Sequence, residues 1–178
     1  MTAVAAQAED GARRIRDRNR KPSKKRDIHE RALGLLAVRQ RSRRELERRL
    51  VQAGFERDDV EAELSRLETV GLIDDEAFAR ALVEGKMGSR GESRRVVAGR
   101  LAQAGVAPDV AQLALDEAPE GEQERADRLA ETRAGRLLGL DEYAAVQRLY
   151  GFLARRGYPP DIARTAARRA LGLQAVEA

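Results

Sequence analysis

The chain has 178 residues, a formal net charge of +4 and neither cysteine nor tryptophan. The lack of cysteine excludes a disulfide framework and thiolate metal sites, and no apolar run approaches the roughly 18 residues that a membrane-spanning helix needs. The scarcity of aromatic residues argues against a β-sandwich and favours helices, and without an apolar signal-peptide core at the N-terminus we expect a cytoplasmic protein that does not bind membranes.

The first predicted segment is a basic N-terminal arm over residues 1–27. It holds nine Lys or Arg and four Asp or Glu residues, whereas acids exceed bases by one in the rest of the chain. With so few apolar residues the arm cannot bury enough surface to offset its chain entropy, so we predict it to be disordered. Arms of this kind commonly contact nucleic acid or acidic proteins, and a plain solvated tail is the alternative.

Helical patterns begin directly after the arm. An apolar stripe predicts a helix over residues 28–39, and Ser42 followed by Glu45 predicts a capping box at the start of the next helix. That second helix should end at Gly54, because glycine is the usual residue just beyond a helix. A third helix should follow and stop at Gly71.

The glycine that ends the second helix recurs twice, at spacings of 51 and 52 residues. In each copy a leucine lies four residues before the glycine and an apolar residue directly follows it, which is the pattern of a Schellman cap. The three motifs are Leu50, Gly54 and Phe55; Leu101, Gly105 and Val106; and Leu153, Gly157 and Tyr158. A further predicted helix precedes each motif, over residues 28–39, 75–86 and 122–136.

This recurrence predicts an all-α fold of three tandem three-helix repeats. We place the repeats at residues 28–74, 75–120 and 121–173. A unit of this length buries little apolar surface alone, so we expect neighbouring units to stack.

Arginine-rich segments provide the candidate binding residues. The densest surrounds the start of the second helix, and smaller groups lie near a glycine-bearing linker at residues 88–91 and just before Gly157. Guanidinium groups match phosphates and carboxylates, so these segments predict a surface for an anionic partner. A solvated face balanced by Glu45 and Glu47 is the alternative. The candidates are Arg39, Arg41, Arg43, Arg44, Arg48, Arg49, Lys86, Arg90, Arg94, Arg95, Arg155 and Arg156.

Nothing in the sequence predicts catalysis. His29 is the only histidine, so a metal site is not expected, and the linker glycines lack the lysine of a P-loop. Asp74 and Asp75 precede an apolar helix, where carboxylates favour the helix N-terminus. We therefore expect no catalytic residue, no cofactor and no metal ion.

Four stretches carry a resemblance to a known family. They are SRRELERRLVQAGF (42–55), VGLIDDEAFARALVEGKMGSRG (70–91), RLAQAGVAPDV (100–110) and FLARRGYPPDIARTA (152–166). They resemble the RecX family, bacterial regulators of the RecA recombinase, over about residues 28–171. The segment GLIDDEAFA is the most specific part.

The resemblance implies a curved, elongated helical protein of three tandem three-helix repeats, in agreement with the glycine recurrence. It also implies that the chain binds the RecA–DNA filament in its helical groove and inhibits ATPase, strand exchange and coprotease activity. Some members of the family also bind DNA directly. We expect a monomer that contacts the RecA filament through the arginine-rich segments. The alternative hypotheses are a general binder of single- or double-stranded DNA, acting through the arm and the arginine-rich helix faces, and a plain adaptor repeat for acidic helices.

Overall fold

The computed structural model describes residues 27–118 and 121–173, and every regular element within these ranges is helical. The predicted arm lies outside the described residues except for Asp27, whose carboxylate caps the first helix by accepting a hydrogen bond from the His29 N–H. The α-helices are α1 (Ile28–Val38), α2 (Arg43–Gln52), α3 (Arg57–Thr69), α4 (Asp75–Val83), α5 (Arg94–Ala104), α6 (Pro108–Asp116), α7 (Glu122–Ala134), α8 (Glu142–Ala154) and α9 (Pro160–Arg169).

Each group of three consecutive helices forms one unit: α1–α3 form unit 1, α4–α6 form unit 2 and α7–α9 form unit 3. The extensive helix packing lies within the units, and each unit has its own apolar core. The predicted all-α fold of three tandem three-helix repeats is confirmed. The largest fully buried apolar side chains are Leu46, Leu50, Val60, Leu64, Leu67, Val97, Leu101, Leu149 and Leu153.

The second helix of each unit ends in the predicted Schellman cap. Gly54, Gly105 and Gly157 have φ angles of 91°, 82° and 87°, a region that residues with a Cβ rarely adopt. In each cap the N–H of the apolar residue that follows the glycine donates to the carbonyl of the leucine five residues earlier, at 3.3, 3.1 and 3.3 Å. These bonds satisfy carbonyls that the helix itself leaves without partners.

Units 1 and 2 meet where the start of α2 touches the end of α5, a contact that we call the first joint. The Ser42 hydroxyl, which caps α2, donates to the carbonyl of Ala104 in the last turn of α5. The carboxylate of Asp75, the first residue of α4, accepts from the Arg43 N–H at 2.8 Å. Unit 2 therefore supplies partners for groups at the N-terminus of a unit 1 helix.

Units 2 and 3 meet at the second joint, where the start of α5 touches the end of α8, but here the capping serine bonds across the joint through its backbone N–H and not through its hydroxyl. The Ser93 N–H donates to the Arg156 carbonyl at 2.9 Å. The carboxylate of Glu122, the first residue of α7, accepts from the Arg94 N–H at 3.0 Å. Ser93 lies twelve residues before its unit's glycine, as Ser42 does in unit 1, so the same part of the repeat builds both joints.

Unit 3 has no serine at the position that Ser42 and Ser93 occupy in units 1 and 2. Its position twelve residues before Gly157 is Ala145, and α8 already begins at Glu142, three residues earlier. Position 145 is thus inside a helix and carries no capping hydroxyl.

Two local predictions differ from the structure. The predicted capping box at Ser42 is only half formed: Ser42 accepts from the Glu45 N–H, but the Glu45 carboxylate is engaged by arginines instead. The predicted linker at residues 88–91 overlaps a π-helical turn, Glu84–Ser89, that continues α4. The turn places Met87 in the unit 2 core, and this burial favours continuing the helix where glycines suggested a break.

Candidate functional site

Eleven of the twelve predicted binding residues divide into two classes that the sequence does not separate. Members of the first class are bonded within their own unit: Arg39, Arg41, Arg43, Arg49 and Arg94. Members of the second class have no acidic partner: Arg44 lies at the first joint, Arg48 is exposed on α2, and Arg90, Arg95, Arg155 and Arg156 lie at the second joint. Lys86 is half-buried in the π-helical turn.

A buried carboxylate organises three arginines of the first class. One oxygen of Glu45 accepts from Arg39 at 2.6 Å, from Arg41 at 2.5 Å and from Arg49 at 2.9 Å. Arg41 is itself only 7% exposed, and its Nε donates to the Leu35 carbonyl at 3.0 Å. Arg41 therefore holds α1 against α2, and we leave it out of the proposed binding surface.

The electrostatics of Glu45 follow from this geometry. Burial by itself would raise the pKa of the Glu45 carboxyl, but the hydrogen bonds from Arg39, Arg49 and Arg41 outweigh burial and hold that pKa below its ordinary value of 4.5. The carboxylate is therefore ionised at neutral pH and balances the buried charge of Arg41.

Arg43 and Arg94 occupy equivalent positions, each directly after a capping serine. The Arg43 side chain forms ion pairs with Glu61 and Glu68 of α3, at 2.5 and 2.9 Å. The Arg94 guanidinium binds the Leu115 carbonyl and the Asp116 carboxylate of α6. Both side chains thus tie the second helix to the third helix of the same unit, and neither is available to a partner without breaking those bonds.

The carboxylate of Asp75 at the first joint is half-buried, which disfavours its charged form. Its burial raises its pKa above the ordinary value of 3.8, and the nearby Glu68 adds to this shift, while the Arg43 N–H opposes it. Hydrogen bonding at the first joint therefore competes with the cost of burying a charge.

Arg44 and Arg48 on α2 are exposed and form no hydrogen bond or ion pair with another residue that the structure describes. They point away from the Leu46 and Leu50 face, as the helical spacing predicts. The stem of Arg44 lies over Gly105, so that side chain is fixed at the first joint while its charge stays accessible.

A polar cleft of about 400 Å³ opens at the second joint. Its lining comes from both sides of the joint: Ser89, Arg90, Glu92, Val96, Arg100, Arg155 and Arg156. A second cleft of about 380 Å³ adjoins it, shares Val96 and Arg100, and adds Arg95. The structure thus brings together arginines from the two smaller predicted groups, which are about sixty residues apart in sequence.

Two residues at the second joint were outside the candidate set: Arg100, which lines both clefts, and Phe152, which lies beneath Arg156 and does not line them. Arg100 binds Glu92 through two bonds, at 2.6 and 3.1 Å, and the Phe152 ring carries the Arg156 guanidinium at 3.9 Å from its centroid. Alignment of the repeats on their glycines places Arg49, Arg100 and Phe152 at one position, five residues before the glycine. That alignment was the signal that could have found them.

The other polar groups in the described ranges do not form a metal site. His29 is bonded to Glu63 at 2.6 Å within unit 1, and no cluster of His, Asp or Glu in residues 27–118 and 121–173 has the arrangement of a metal site. None of the helices in these ranges is both long and apolar enough to cross a bilayer.

Comparison with known families gives three consecutive matches. The first, second and third three-helix domains of RecX match residues 29–67, 74–115 and 120–167 of this chain.

Relatives are similar over most of their length. Regulatory protein RecX of Streptomyces coelicolor is 39% identical over 171 residues, covering 92% of this chain and 90% of that protein. The RecX protein of Mycolicibacterium smegmatis is 43% identical over 137 residues, covering 74% and 72%. That of Amycolatopsis mediterranei is 39% identical over 132 residues, covering 74% and 75%.

Solved structures share the fold. The crystal structure of RecX from Lactobacillus salivarius superimposes with a TM-score of 0.68 at 22% identity, covering 82% of this chain and 96% of that one. A second crystal structure of a regulatory protein RecX gives a TM-score of 0.61 at 23% identity, covering 78% and 69%. At sequence identities this low, the structural similarity shows a shared fold and nothing about function.

Proposed function

The chain belongs to the RecX family of regulatory proteins, and on that premise we propose that it binds the RecA–DNA filament and inhibits the recombinase. The activities that it would reduce are ATP hydrolysis, strand exchange and coprotease activity. The observation that carries the proposal is the pair Arg44 and Arg48, exposed on the second helix of unit 1 without an acidic partner in the described chain.

The mechanism that we propose uses several weak contacts. A recombinase filament repeats the same surface along its axis, and a chain of three tandem units can present its arginines to more than one protomer. Each exposed guanidinium contributes little alone, but linked contacts raise the overall affinity through effective concentration. A protein held in this way would obstruct filament growth or favour disassembly.

Sedimentation with preformed filaments tests the proposal. RecA is assembled on circular single-stranded DNA with a slowly hydrolysed nucleotide, the chain is added, and its fraction in the pellet is measured. We expect the wild-type chain to pellet with the filament and Arg44→Glu/Arg48→Glu to bind at least about tenfold more weakly, a loss of about 1.4 kcal/mol.

The matched control is Arg31→Glu/Arg57→Glu, which makes the same charge change at exposed arginines elsewhere in unit 1. The control should pellet like the wild type. Absence of the wild-type chain from the pellet would refute filament binding, and equal binding of all three proteins would assign it to another surface.

General DNA binding is the second candidate function, favoured by the basic residues of the arm. Deleting residues 1–26 separates the two candidates and keeps Asp27, which caps α1. Loss of DNA binding with retained inhibition of RecA would make the arm accessory. Loss of both would favour a DNA-binding protein that acts on the filament only through DNA.

A further inference from the structure

The second joint concentrates more positive charge than its lining acid neutralises. Five arginines line its two adjoining clefts, three from unit 2 and two from unit 3, and the acid among the lining residues is Glu92. The guanidiniums are Arg90, Arg95, Arg100, Arg155 and Arg156. Like charges gathered in one concave surface repel one another, so an anionic ligand would relieve a cost that the free protein carries.

The equivalent position in unit 1 shows how such a charge can be neutralised within the fold. Fifteen residues before the glycine, unit 1 has Arg39 and unit 2 has Arg90. Arg39 is paired with Glu45, but the unit 2 residue at the position of Glu45 is Val96. Arg90 therefore lacks the acid that neutralises its counterpart, and its side chain bonds to no other described residue.

The unit 3 side of the second joint also carries more positive charge than the unit 2 side of the first joint. Arg155 and Arg156 occupy the positions that Gln103 and Ala104 hold at the first joint. At each joint the serine that caps the second helix bonds to a backbone carbonyl, that of Ala104 or of Arg156, and at the second joint the Arg156 side chain adds a 3.4 Å bond to the Arg90 carbonyl. The Arg155 side chain bonds to no other described residue, so joining the units does not require it.

Part of the cleft is ordered before any ligand arrives. The Arg156 guanidinium stacks on Phe152 and its Nε donates to the Arg90 carbonyl at 3.4 Å. Arg100 is held by the two hydrogen bonds that it donates to the Glu92 carboxylate. A preordered guanidinium loses less side-chain entropy on binding, so these two residues favour recognition of a fixed anion geometry.

The lining and the arrangement of the two clefts indicate which class of anion they would bind. None of the described residues that line them is aromatic, so they offer no platform for stacking a base. Guanidinium forks match phosphate oxygens, and two adjoining clefts with a shared wall suit successive phosphates of one strand. We propose that the second joint is a clamp for the phosphodiester backbone of nucleic acid, gripping one strand from units 2 and 3 together without reading its sequence.

This proposal deepens the alternative function of DNA binding, because it places that binding in the folded body as well as in the arm. It does not depend on RecA, and it is tested with nucleic acid alone. Its failure would leave filament binding through Arg44 and Arg48 untouched.

The test uses the full chain and a fluorescein-labelled single-stranded oligonucleotide, with anisotropy measured over a series of salt concentrations. Arg95→Ala/Arg155→Ala removes one exposed arginine from each side of the joint. Because each phosphate contact contributes about 0.7 to the slope of log K against log salt for single strands, we expect this variant to lower the slope by about 1.4. Arg31→Ala/Arg136→Ala removes two exposed arginines elsewhere and should leave the slope unchanged.

Two further outcomes decide the assignment. Oligonucleotides of different sequence should bind equally, and binding should shift the amide resonance of Ser93, which lies between the two units. An unchanged slope in Arg95→Ala/Arg155→Ala would overturn the proposal. Competition by polyglutamate as effective as that by unlabelled DNA at equal charge would also overturn it, in favour of an acidic protein surface.

Discussion

At the scale of single residues, pairing with a carboxylate separates arginines that hold the fold from arginines that can bind a partner, and burial adds to the difference at Arg41. Arg41 and Arg44 are three residues apart, yet one is buried against Glu45 and the other is exposed over Gly105. A buried guanidinium needs a partner because an unpaired charge in the interior costs several kcal/mol. Glu45 therefore stabilises unit 1 through the charge that it neutralises.

Glu45→Ala should lower the free energy of unfolding by about 3–5 kcal/mol, because it leaves Arg41 buried without its carboxylate. Urea denaturation followed by circular dichroism measures the change. Glu61→Ala is the control: it removes an exposed partner of Arg43 and should cost no more than about 1 kcal/mol. Equal losses in the two variants would mean that the Glu45 cluster is not a buried ion-pair network.

The same residue gives a pH signature. The folded-state pKa of Glu45 lies below 4.5, so its contribution is present above pH 4.5 and is lost as the pH falls through the folded pKa. Asp75 acts in the opposite sense, because its raised pKa favours the folded state when it is protonated. The difference in unfolding free energy between wild type and Glu45→Ala should therefore shrink below pH 4.5.

The sequence predicted which segments are rich in arginine but not which arginines are occupied. Arg41, Glu45 and Arg49 follow a spacing of four residues, which indicates ion pairs along one helix face. The burial of Arg41 depends on α1 lying across the start of α2, and that packing is a tertiary contact that residue spacing alone does not define.

At the scale of elements, the glycine caps combine two roles that can be separated experimentally. All three have positive φ, but a Cβ on Gly54 would meet nothing within 4 Å. A Cβ on Gly105 would lie 2.7 Å from the Arg44 Cβ, and one on Gly157 would lie 2.7 Å from the Ser93 Oγ. Gly54 is thus needed for the cap alone, and the other two are also needed for the joints.

Alanine substitution at the three glycines should therefore give unequal losses. Gly54→Ala carries only the strain of the left-handed backbone, about 1–2 kcal/mol. Gly105→Ala and Gly157→Ala add overpacking against the neighbouring unit, about 1–3 kcal/mol more. Urea unfolding measures all three, and equal losses would show that close approach at the joints contributes nothing to stability.

Helix caps were predictable because their signals are local. The Schellman pattern is set by residues within one turn of each glycine, and all three caps have the predicted hydrogen bonds. The π-helical turn and the early start of α8 were not predictable, because burial of Met87 and extension of unit 3 past the joint position reflect packing between distant segments.

At the scale of the whole molecule, one repeated contact joins three small cores into a stack. Ser42 and Ser93 cap the second helices of units 1 and 2, and each is bonded to the unit that follows. The glycine spacing predicted the number of units, but the joints link residues about sixty positions apart and leave no local signal. Among the predicted binding residues that are exposed and lack an acidic partner, Arg44 lies at the first joint and Arg90, Arg95 and Arg155 lie at the second, so the repeat that builds the stack also sets the spacing of most of the proposed binding surface.

The measurement that tests this account most directly is ATP hydrolysis by RecA on single-stranded DNA, with the chain titrated in. We predict that wild type and Arg31→Glu/Arg57→Glu suppress turnover at stoichiometric amounts, whereas Arg44→Glu/Arg48→Glu requires at least about tenfold more protein. Turnover that is unaffected by the folded wild-type chain, or suppressed equally by all three proteins, would contradict the claim that the exposed arginines of α2 connect this chain to the filament.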